Sequence, residues 1–203
     1  LRRAVEAFLG IPEVGEILVI TGKETEETYR KMLAGLPVRV VPDGGETRQQ
    51  SVFGGIQKVS EKAEFVAIHD GARPLVKKEE VQKVIADAKR YGAAVLGVRV
   101  KDTIKEAENG TILATPDRSR LFQIQTPQVF RKTEYLAAMK LAMEKGLDFT
   151  DDAQLLEKIG RKVAIRISRS PRRRIFRLRK DFWKGKRREN PCCGSEKGTT
   201  YIG

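Results

Sequence analysis

Short apolar runs rich in β-branched residues recur along the first half of the chain and alternate with stretches of helical periodicity. The runs predict strands at Ile17–Thr21, Val38–Val41, Phe65–His69 and Ala93–Val100. The stretches between them predict helices at Glu24–Leu33, Gln50–Val59 and Glu79–Tyr91. Residues 65–68 are apolar at every position, as expected when helices cover both faces of a sheet. This alternation predicts an α/β fold with a mostly parallel sheet and right-handed crossovers.

The pattern changes between residues 101 and 130, where short polar and β-branched pieces surround the turn signal Asn109–Gly110. This stretch predicts a β-hairpin arm that leaves the main sheet. Two helices follow, predicted from about Lys132 to Lys145 and from about Asp151 to Ile159, with Thr150 as the N-cap of the second. Gly146 and Gly160 are placed to end them.

The positive charge is concentrated at one end of the chain. Residues 1–160 hold 25 Lys+Arg and 24 Asp+Glu, whereas residues 161–203 hold 15 and 3 of the total of 40 and 27. The net charge of +13 therefore belongs almost entirely to the tail. Nucleic acid is not an expected partner except through that tail, where Phe176, Phe182 and Trp183 lie among basic residues.

Membrane insertion and a metal site built from cysteines are both disfavoured. No apolar stretch approaches the roughly 18 residues of a spanning helix. Residues 1–10 read as an amphipathic helix rather than a signal peptide, so a cytoplasmic location is expected. The two cysteines, Cys192 and Cys193, are adjacent and lack metal-site spacing.

The first candidate site segment, Pro42–Ser51, follows a predicted strand. Ligands of open α/β sheets bind beyond the carboxyl ends of the strands. Gly44 and Gly45 would let the backbone approach a base or phosphate, and Ser51 lies at the start of a helix. A polar turn with a helix N-cap explains the same residues, so both interpretations stay open for this loop alone.

The second candidate segment, His69–Pro74, ends another predicted strand. Asp70 and Arg73 could contact a sugar hydroxyl or metal ion and a phosphate, respectively. The alternative is a structural ion pair that fixes the turn before the proline. His69, the single histidine, is expected to pack rather than to catalyse.

Further polar segments follow in the arm and beyond it, and each alone is compatible with a solvated loop. Taken in order, the segments resemble the 2-C-methyl-D-erythritol 4-phosphate cytidylyltransferase family over about residues 1–165. The matching segments are Gly44–Val52, His69–Pro74, Asp102–Thr103, Asp117–Arg118, Thr126–Gln128 and Thr150–Asp151. Ala72 favours this family over the related ribitol 5-phosphate cytidylyltransferases, which tend to have valine there.

The resemblance implies a three-layer, nucleotidyltransferase-like (Rossmann-like) fold whose β-hairpin arm mediates a homodimer. It also implies transfer of CMP from CTP to 2-C-methyl-D-erythritol 4-phosphate, which yields 4-diphosphocytidyl-2-C-methyl-D-erythritol and pyrophosphate in the non-mevalonate isoprenoid pathway. A divalent cation such as Mg²⁺ would help to neutralise the phosphates. The attacking phosphate is already anionic, so no general base is expected.

Roles for individual residues also follow from the resemblance. The nucleotide would be bound by Gly45, Glu46, Ser51, Asp70 and Gly71, with Asp70 near the metal. The polyol phosphate side would be lined by Arg73, Asp102, Thr103, Arg118, Thr126 and Thr150. Arg118 is the expected catalytic residue, reaching its site from the arm of a second subunit.

This sequence departs from the family at both ends. The family's first strand and Gly-rich loop, with its Arg and Lys, have no counterpart before Leu1. The family's Asn-x-Lys-x-Thr segment is replaced at Ser168–Ile175. We therefore expect an incomplete cytidylyltransferase domain at 1–167 and an atypical basic tail at 168–203, either disordered or frame-altered. An inactive remnant and a polyanion-binding tail are the alternatives.

Overall fold

A computed structural model describes residues 1–147, 149 and 151–168, together with the backbone of residues 199–202. The strands are β1 Ile17–Ile20, β2 Arg39–Val41, β3 Phe65–Asp70, β4 Ala93–Arg99, β5 Glu106–Glu108, β6 Thr111–Ala114, β7 Phe122–Arg131, β8 Ala164–Ile167 and β9 Thr199–Ile202. The helices are α1 Arg2–Glu6, α2 Glu26–Met32, α3 Arg48–Gln57, α4 Lys78–Tyr91, α5 Lys132–Glu144 and α6 Asp152–Lys158. Short 3₁₀ turns occur at Lys23–Thr25 and Arg118–Arg120.

A seven-stranded sheet with the order β2-β1-β9-β3-β7-β4-β8 forms the middle layer. The pairs β1–β2 and β4–β8 are parallel. Strands β7 and β9 are antiparallel to their neighbours. Five of the seven strands therefore run in one direction, and the α/β architecture predicted from the sequence is confirmed.

Helices cover both faces of this sheet, so each central strand is buried on both sides. On one face Leu18 and Ile20 pack with residues of α3, α5 and α6. On the other face Ile17 and Val19 pack with residues of α1 and α4. This explains why the strands are apolar at consecutive positions instead of alternating.

The predicted strands before residue 100 and the helices predicted between residues 24 and 91 are confirmed, with ends that differ by at most two residues. The helix predicted over residues 1–10 is present as α1, but it ends at Glu6. Helices α5 and α6 are also present, and Gly146 and Gly160 follow them with φ of 59° and 76°. The N-cap of α6 is Asp151, whose carboxylate accepts a hydrogen bond from the Gln154 amide. The prediction of Thr150 for that role was wrong by one residue.

The arm is shorter than the predicted 101–130. Strand β7 lies in the main sheet between β3 and β4, and residues 126–130 are buried. Its Pro127 and its alternating glutamines are unusual for a central strand, which is why the sequence pattern favoured an arm. Only the preceding segment, 101–121, projects from the sheet.

Within that segment, β5 and β6 form a separate two-stranded sheet, and every residue of both strands is exposed. Asn109 and Gly110 turn the chain with φ of 49° and 80°, as their sequence predicts.

No helix among the described residues is long and apolar enough to cross a membrane. The adjacent cysteines, the aromatic residues of the basic tail and Thr150 lie outside the described residues. Residues 199–202 were assigned to the separate tail, but in the structure they pair with β1 and β3.

Candidate active site

Three loops leave the edge of the sheet where β2, β3 and β4 end. They begin after Val41, Asp70 and Arg99. Because these strands run in the same direction, their carboxyl ends lie along one edge. Both candidate segments predicted from the sequence therefore lie at this edge, where ligands of open sheets bind.

The first loop is held to the start of α3 by a capping box. The Thr47 hydroxyl accepts a hydrogen bond from the Gln50 amide at 3.1 Å, and the Gln50 side chain accepts one from the Thr47 amide at 3.2 Å. Ser51 Oγ accepts from the Gly45 amide and donates to the Thr47 carbonyl, both at 3.0 Å. Ser51 is 8% exposed. It therefore shapes the loop, while Gly45 and Glu46 are exposed above it.

Gly44 follows β2 and packs tightly against Thr21, the residue after the neighbouring strand β1. Its amide donates to the Thr21 carbonyl at 3.0 Å. A Cβ atom at this position would meet the Thr21 carbonyl oxygen at 2.8 Å. Because that oxygen belongs to the backbone, a side chain here would shift the loop.

Asp70 ends β3 between two guanidinium groups. Arg73 Nε donates to Asp70 Oδ2 at 2.8 Å, and Arg48 Nε lies 3.6 Å from Asp70 Oδ1. The Arg73 side chain is 44% exposed, whereas that of Arg48 is 28% exposed. The ion pair closes the turn, which is the structural alternative that the sequence left open, and the Arg73 guanidinium stays partly exposed. Phosphate binding by Arg73 stays a prediction. Gly71, next in the chain, is buried.

Arg48 also contacts Asp152 at the start of α6. Asp152 is 2% exposed and accepts a second hydrogen bond from the Tyr135 hydroxyl. Gln128 of β7 adds a further link, because its side chain accepts from the Ala153 amide at 3.1 Å. The start of α6 is thus tied to α3, α5 and β7.

His69 and Thr126 lie beneath Asp70. His69 is 0% exposed and stacks at a tilt on Phe8, with ring centroids 5.0 Å apart. Burial is the main cause that lowers the pKa of His69 to about 4, although hydrogen bonds and Asp70 oppose it. The residue is neutral at pH 7. It packs, as the sequence predicted.

The arm residues form a separate group. Asp102, Thr103 and Arg118 are all exposed. Arg118 Nη1 donates to the Lys101 carbonyl at 2.9 Å, which closes the base of the arm. Within the described residues this places Arg118 on the arm rather than among the side chains that contact Asp70.

The sequence model of the family described as 2-C-methyl-D-erythritol 4-phosphate cytidylyltransferase matches residues 1–174. The chain belongs to this family. A family member from Caldanaerobacter subterraneus subsp. tengcongensis is 46% identical over 168 residues, covering 80% of this chain and 74% of the relative. One from Desulforamulus reducens is 42% identical over 171 residues, covering 81% and 73%.

Solved structures of the family are similar to this fold. The 4-diphosphocytidyl-2C-methyl-D-erythritol synthase of Anaerococcus prevotii superposes with a TM-score of 0.77 at 29% identity, covering 82% of this chain and 75% of that one. The cytidylyltransferase of Thermus thermophilus gives 0.71 at 32% identity, covering 83% and 78%. The ribitol 5-phosphate alternative is not favoured, because the matching proteins bear the methylerythritol name.

The candidate site includes residues that the sequence analysis does not single out. Arg48 and Asp152 join the two predicted loops to α6, and Tyr135 supports Asp152 from α5. Arg48 lies inside the Gly44–Val52 segment that carried the resemblance, so the motif itself was a signal for it. Nothing in the local sequence indicated Tyr135.

Proposed function

We propose that this cytidylyltransferase moves CMP from CTP to 2-C-methyl-D-erythritol 4-phosphate and releases pyrophosphate. The polyol phosphate oxygen would form a bond to the α-phosphorus of CTP as the bond to the pyrophosphate leaving group breaks. The observation that carries the proposal is the Asp70 carboxylate between Arg48 and Arg73 beside the glycine loop. Guanidinium groups suit phosphate because they can donate two parallel hydrogen bonds.

Each loop has a separate task in this proposal. The exposed backbone of Gly45 and Glu46 would select the base, and Asp70 with Gly71 would contact the ribose. Arg73 would hold the polyol phosphate so that its oxygen faces the α-phosphorus. The basis for this division is that Arg73 is the more exposed of the two guanidinium groups around Asp70.

A divalent cation fits this site only if the substrate supplies most of its ligands. Among the described residues, no group of three or more His, Cys, Asp or Glu side chains is placed to hold a metal ion. Mg²⁺ commonly uses one or two carboxylates together with substrate phosphates. Asp70 would be the protein ligand, and the bound cation would offset the negative charge of the phosphates.

The arm is the part of the fold that suits a homodimer. Ile104, Ile112 and Leu113 are 42%, 60% and 63% exposed on a hairpin that pairs with no other described strand. We propose that a second subunit covers this apolar surface and receives Arg118 from the arm. On this proposal Arg118 and Thr103 would complete the polyol phosphate side of the partner's site.

Pyrophosphate release from CTP, methylerythritol phosphate and Mg²⁺ is the experiment that tests the proposal. It compares this chain with a chimera that carries the terminal segments of the Caldanaerobacter relative. Arg73→Lys should lower kcat/KM about tenfold or more in whichever chain is active, since the two-pronged contact is lost. Arg131→Lys, at the opposite edge of the sheet, is the matched control. No release by either parent chain would contradict the substrate assignment.

Arg118 can be tested in the same assay. Arg118→Lys keeps the positive charge but removes the planar donor pair, so it should reduce turnover if the residue contacts a phosphate. An unchanged kcat/KM would remove Arg118 from the mechanism.

A further inference from the structure

A line of hydrogen bonds beneath the site joins β3 to β7 through the buried histidine. His69 Nδ1 lies 2.9 Å from Thr126 Oγ1. His69 Nε2 lies 3.1 Å from the carbonyl oxygen of Arg73. The Asp70 amide donates to the same Thr126 hydroxyl at 3.1 Å. Both candidate ligand-binding residues of the turn are therefore attached to His69, one directly and one through Thr126.

The direction of each bond follows from the chemistry of the groups. The Arg73 carbonyl oxygen can only accept, so His69 Nε2 carries the proton and donates. With Nε2 protonated, the neutral tautomer leaves Nδ1 as an acceptor, and the Thr126 hydroxyl faces it at 2.9 Å. The Thr126 hydroxyl then donates to Nδ1 and accepts from the Asp70 amide. One arrangement of protons satisfies every group.

These bonds fix both ends of the turn that presents Asp70 and Arg73. The turn is closed by the Arg73 amide, which donates to the Asp70 carbonyl at 2.9 Å. Thr126 is 4% exposed, and its hydroxyl is engaged in hydrogen bonds with both the Asp70 amide and His69 Nδ1. This hydroxyl is better placed to hold Asp70 than to contact a ligand directly.

We infer that His69 is a positioning residue, which sets Asp70 through Thr126 and sets Arg73 through its carbonyl group. The inference rests on the proposed function, in which Asp70 serves CTP and Arg73 serves the polyol phosphate. It assigns Thr126 to the support of the turn rather than to the substrate surface.

Two substitutions separate the two connections of the imidazole. In His69→Asn the amide oxygen replaces Nδ1 and keeps the bond to Thr126, but nothing reaches the Arg73 carbonyl. In His69→Gln the amide nitrogen replaces Nε2 and keeps the bond to that carbonyl, but the acceptor for Thr126 is lost. The two variants at this position thus test the connection to Thr126 and the connection to Arg73 separately.

Steady-state kinetics, measured in whichever parent chain is active, should distinguish the two variants by their KM values. H69N should raise KM for methylerythritol phosphate by about five- to tenfold and leave KM for CTP nearly unchanged, and H69Q should do the reverse. Thr126→Val should behave like H69Q, whereas Thr126→Ser, which keeps the hydroxyl, should restore wild-type values. Equal effects of H69N and H69Q on both KM values would overturn the inference.

Phe8→Leu provides the control for stability. It alters packing on the face of the His69 ring without touching the hydrogen bonds, so it should lower the melting temperature and leave both KM values unchanged. A KM shift in F8L as large as in the histidine variants would overturn the inference, because general loosening would then explain the data.

NMR of the ¹⁵N-labelled chain gives a readout that does not depend on turnover. The wild-type His69 ring should show the neutral form protonated at Nε2, and the Asp70 amide should exchange slowly with solvent. That protection should be lost in T126V and retained in T126S. Fast exchange in the wild type would overturn the positioning role. Absence of pyrophosphate release by both parent chains, with intact protection, would instead reject the proposed function.

Discussion

The carboxyl edge of the main sheet and the β5–β6 arm both carry residues predicted to bind substrate, but they are held in different ways. At the edge, Asp70 and Asp152 are tied to Arg48, and Asp152 is 2% exposed. In the arm every residue of both strands is exposed. The edge therefore gains its shape from contacts within one chain.

The arm is closed at its base, where Arg118 donates to the Lys101 carbonyl and Arg99 donates to the Ser119 carbonyl, but the β5–β6 hairpin itself is exposed. An isolated two-stranded hairpin is at most marginally stable in water. On the proposal that a second subunit covers Ile112 and Leu113, the same contact would bring Arg118, which follows the hairpin, to the partner's site. On the proposed function, the edge is formed within one chain, whereas the Arg118 side of the site would be completed by a second subunit.

Breaking the edge should have the largest effect on stability. Asp152→Ala removes the partner of Arg48 and of the Tyr135 hydroxyl, and we expect the free energy of unfolding to fall by about 3–5 kcal/mol. Urea unfolding followed by circular dichroism measures it. The control is Glu27→Gln, which breaks an exposed pair with Lys31 and should change stability by less than about 0.5 kcal/mol. Similar values for both variants would show that the edge is not specially held.

Acid should weaken the edge through His69. The pKa of this residue is lowered from 6.5 to about 4 in the folded chain, mainly by burial. Between these values the unfolded chain binds the proton more readily, so the free energy of unfolding should fall as the pH drops, by roughly 3 kcal/mol in all. Urea unfolding between pH 7 and pH 4, compared with His69→Asn, isolates this contribution. Parallel pH profiles for the two chains would contradict it.

The arm should show the smallest effect on the stability of a single chain. Replacing Ile112 and Leu113 together with serine removes only exposed side chains, so the free energy of unfolding of the monomer should change by less than about 0.5 kcal/mol. The same double variant should shift the dimer towards monomer in sedimentation experiments, because the proposed interface is lost. If the monomer were clearly destabilised while its association were unchanged, the arm would be held within one chain, contrary to the proposed interface.

The sequence predicted most of the fold because the deciding signals are local. Strand β1 and the first four residues of β3 and of β4 are continuous apolar runs, and Gly146 and Gly160 mark helix ends that need positive φ. Strand β7 escaped prediction because its burial comes from its neighbours in the sheet, while its own residues include Pro127 and three glutamines. The position of a strand in the middle of a sheet cannot be predicted from the periodicity of its own residues alone.

The candidate site was predicted in part for the same reason. The glycine loop and Asp70 with Arg73 lie at strand ends, where sequence order and general sheet geometry already place ligands. The contact from Arg48 to Asp152 joins residues 104 positions apart, so no local pattern could show it. The role of Thr126 depends on the side chain that faces it across the sheet, which only the strand register reveals.

The sequence separation of the Arg48–Asp152 contact also bears on how the protein folds. A nascent chain could form β1, α3 and β3 early, but Arg48 would have no buried carboxylate partner until α6 docks. Closing so large a loop costs conformational entropy before any stabilising contact forms to offset it, and such non-local contacts slow folding. We therefore expect the Arg48–Asp152 contact to form late. A chain synthesised only to residue 150 would contain five of the seven strands of the main sheet, but not the α6 carboxylate that holds Arg48.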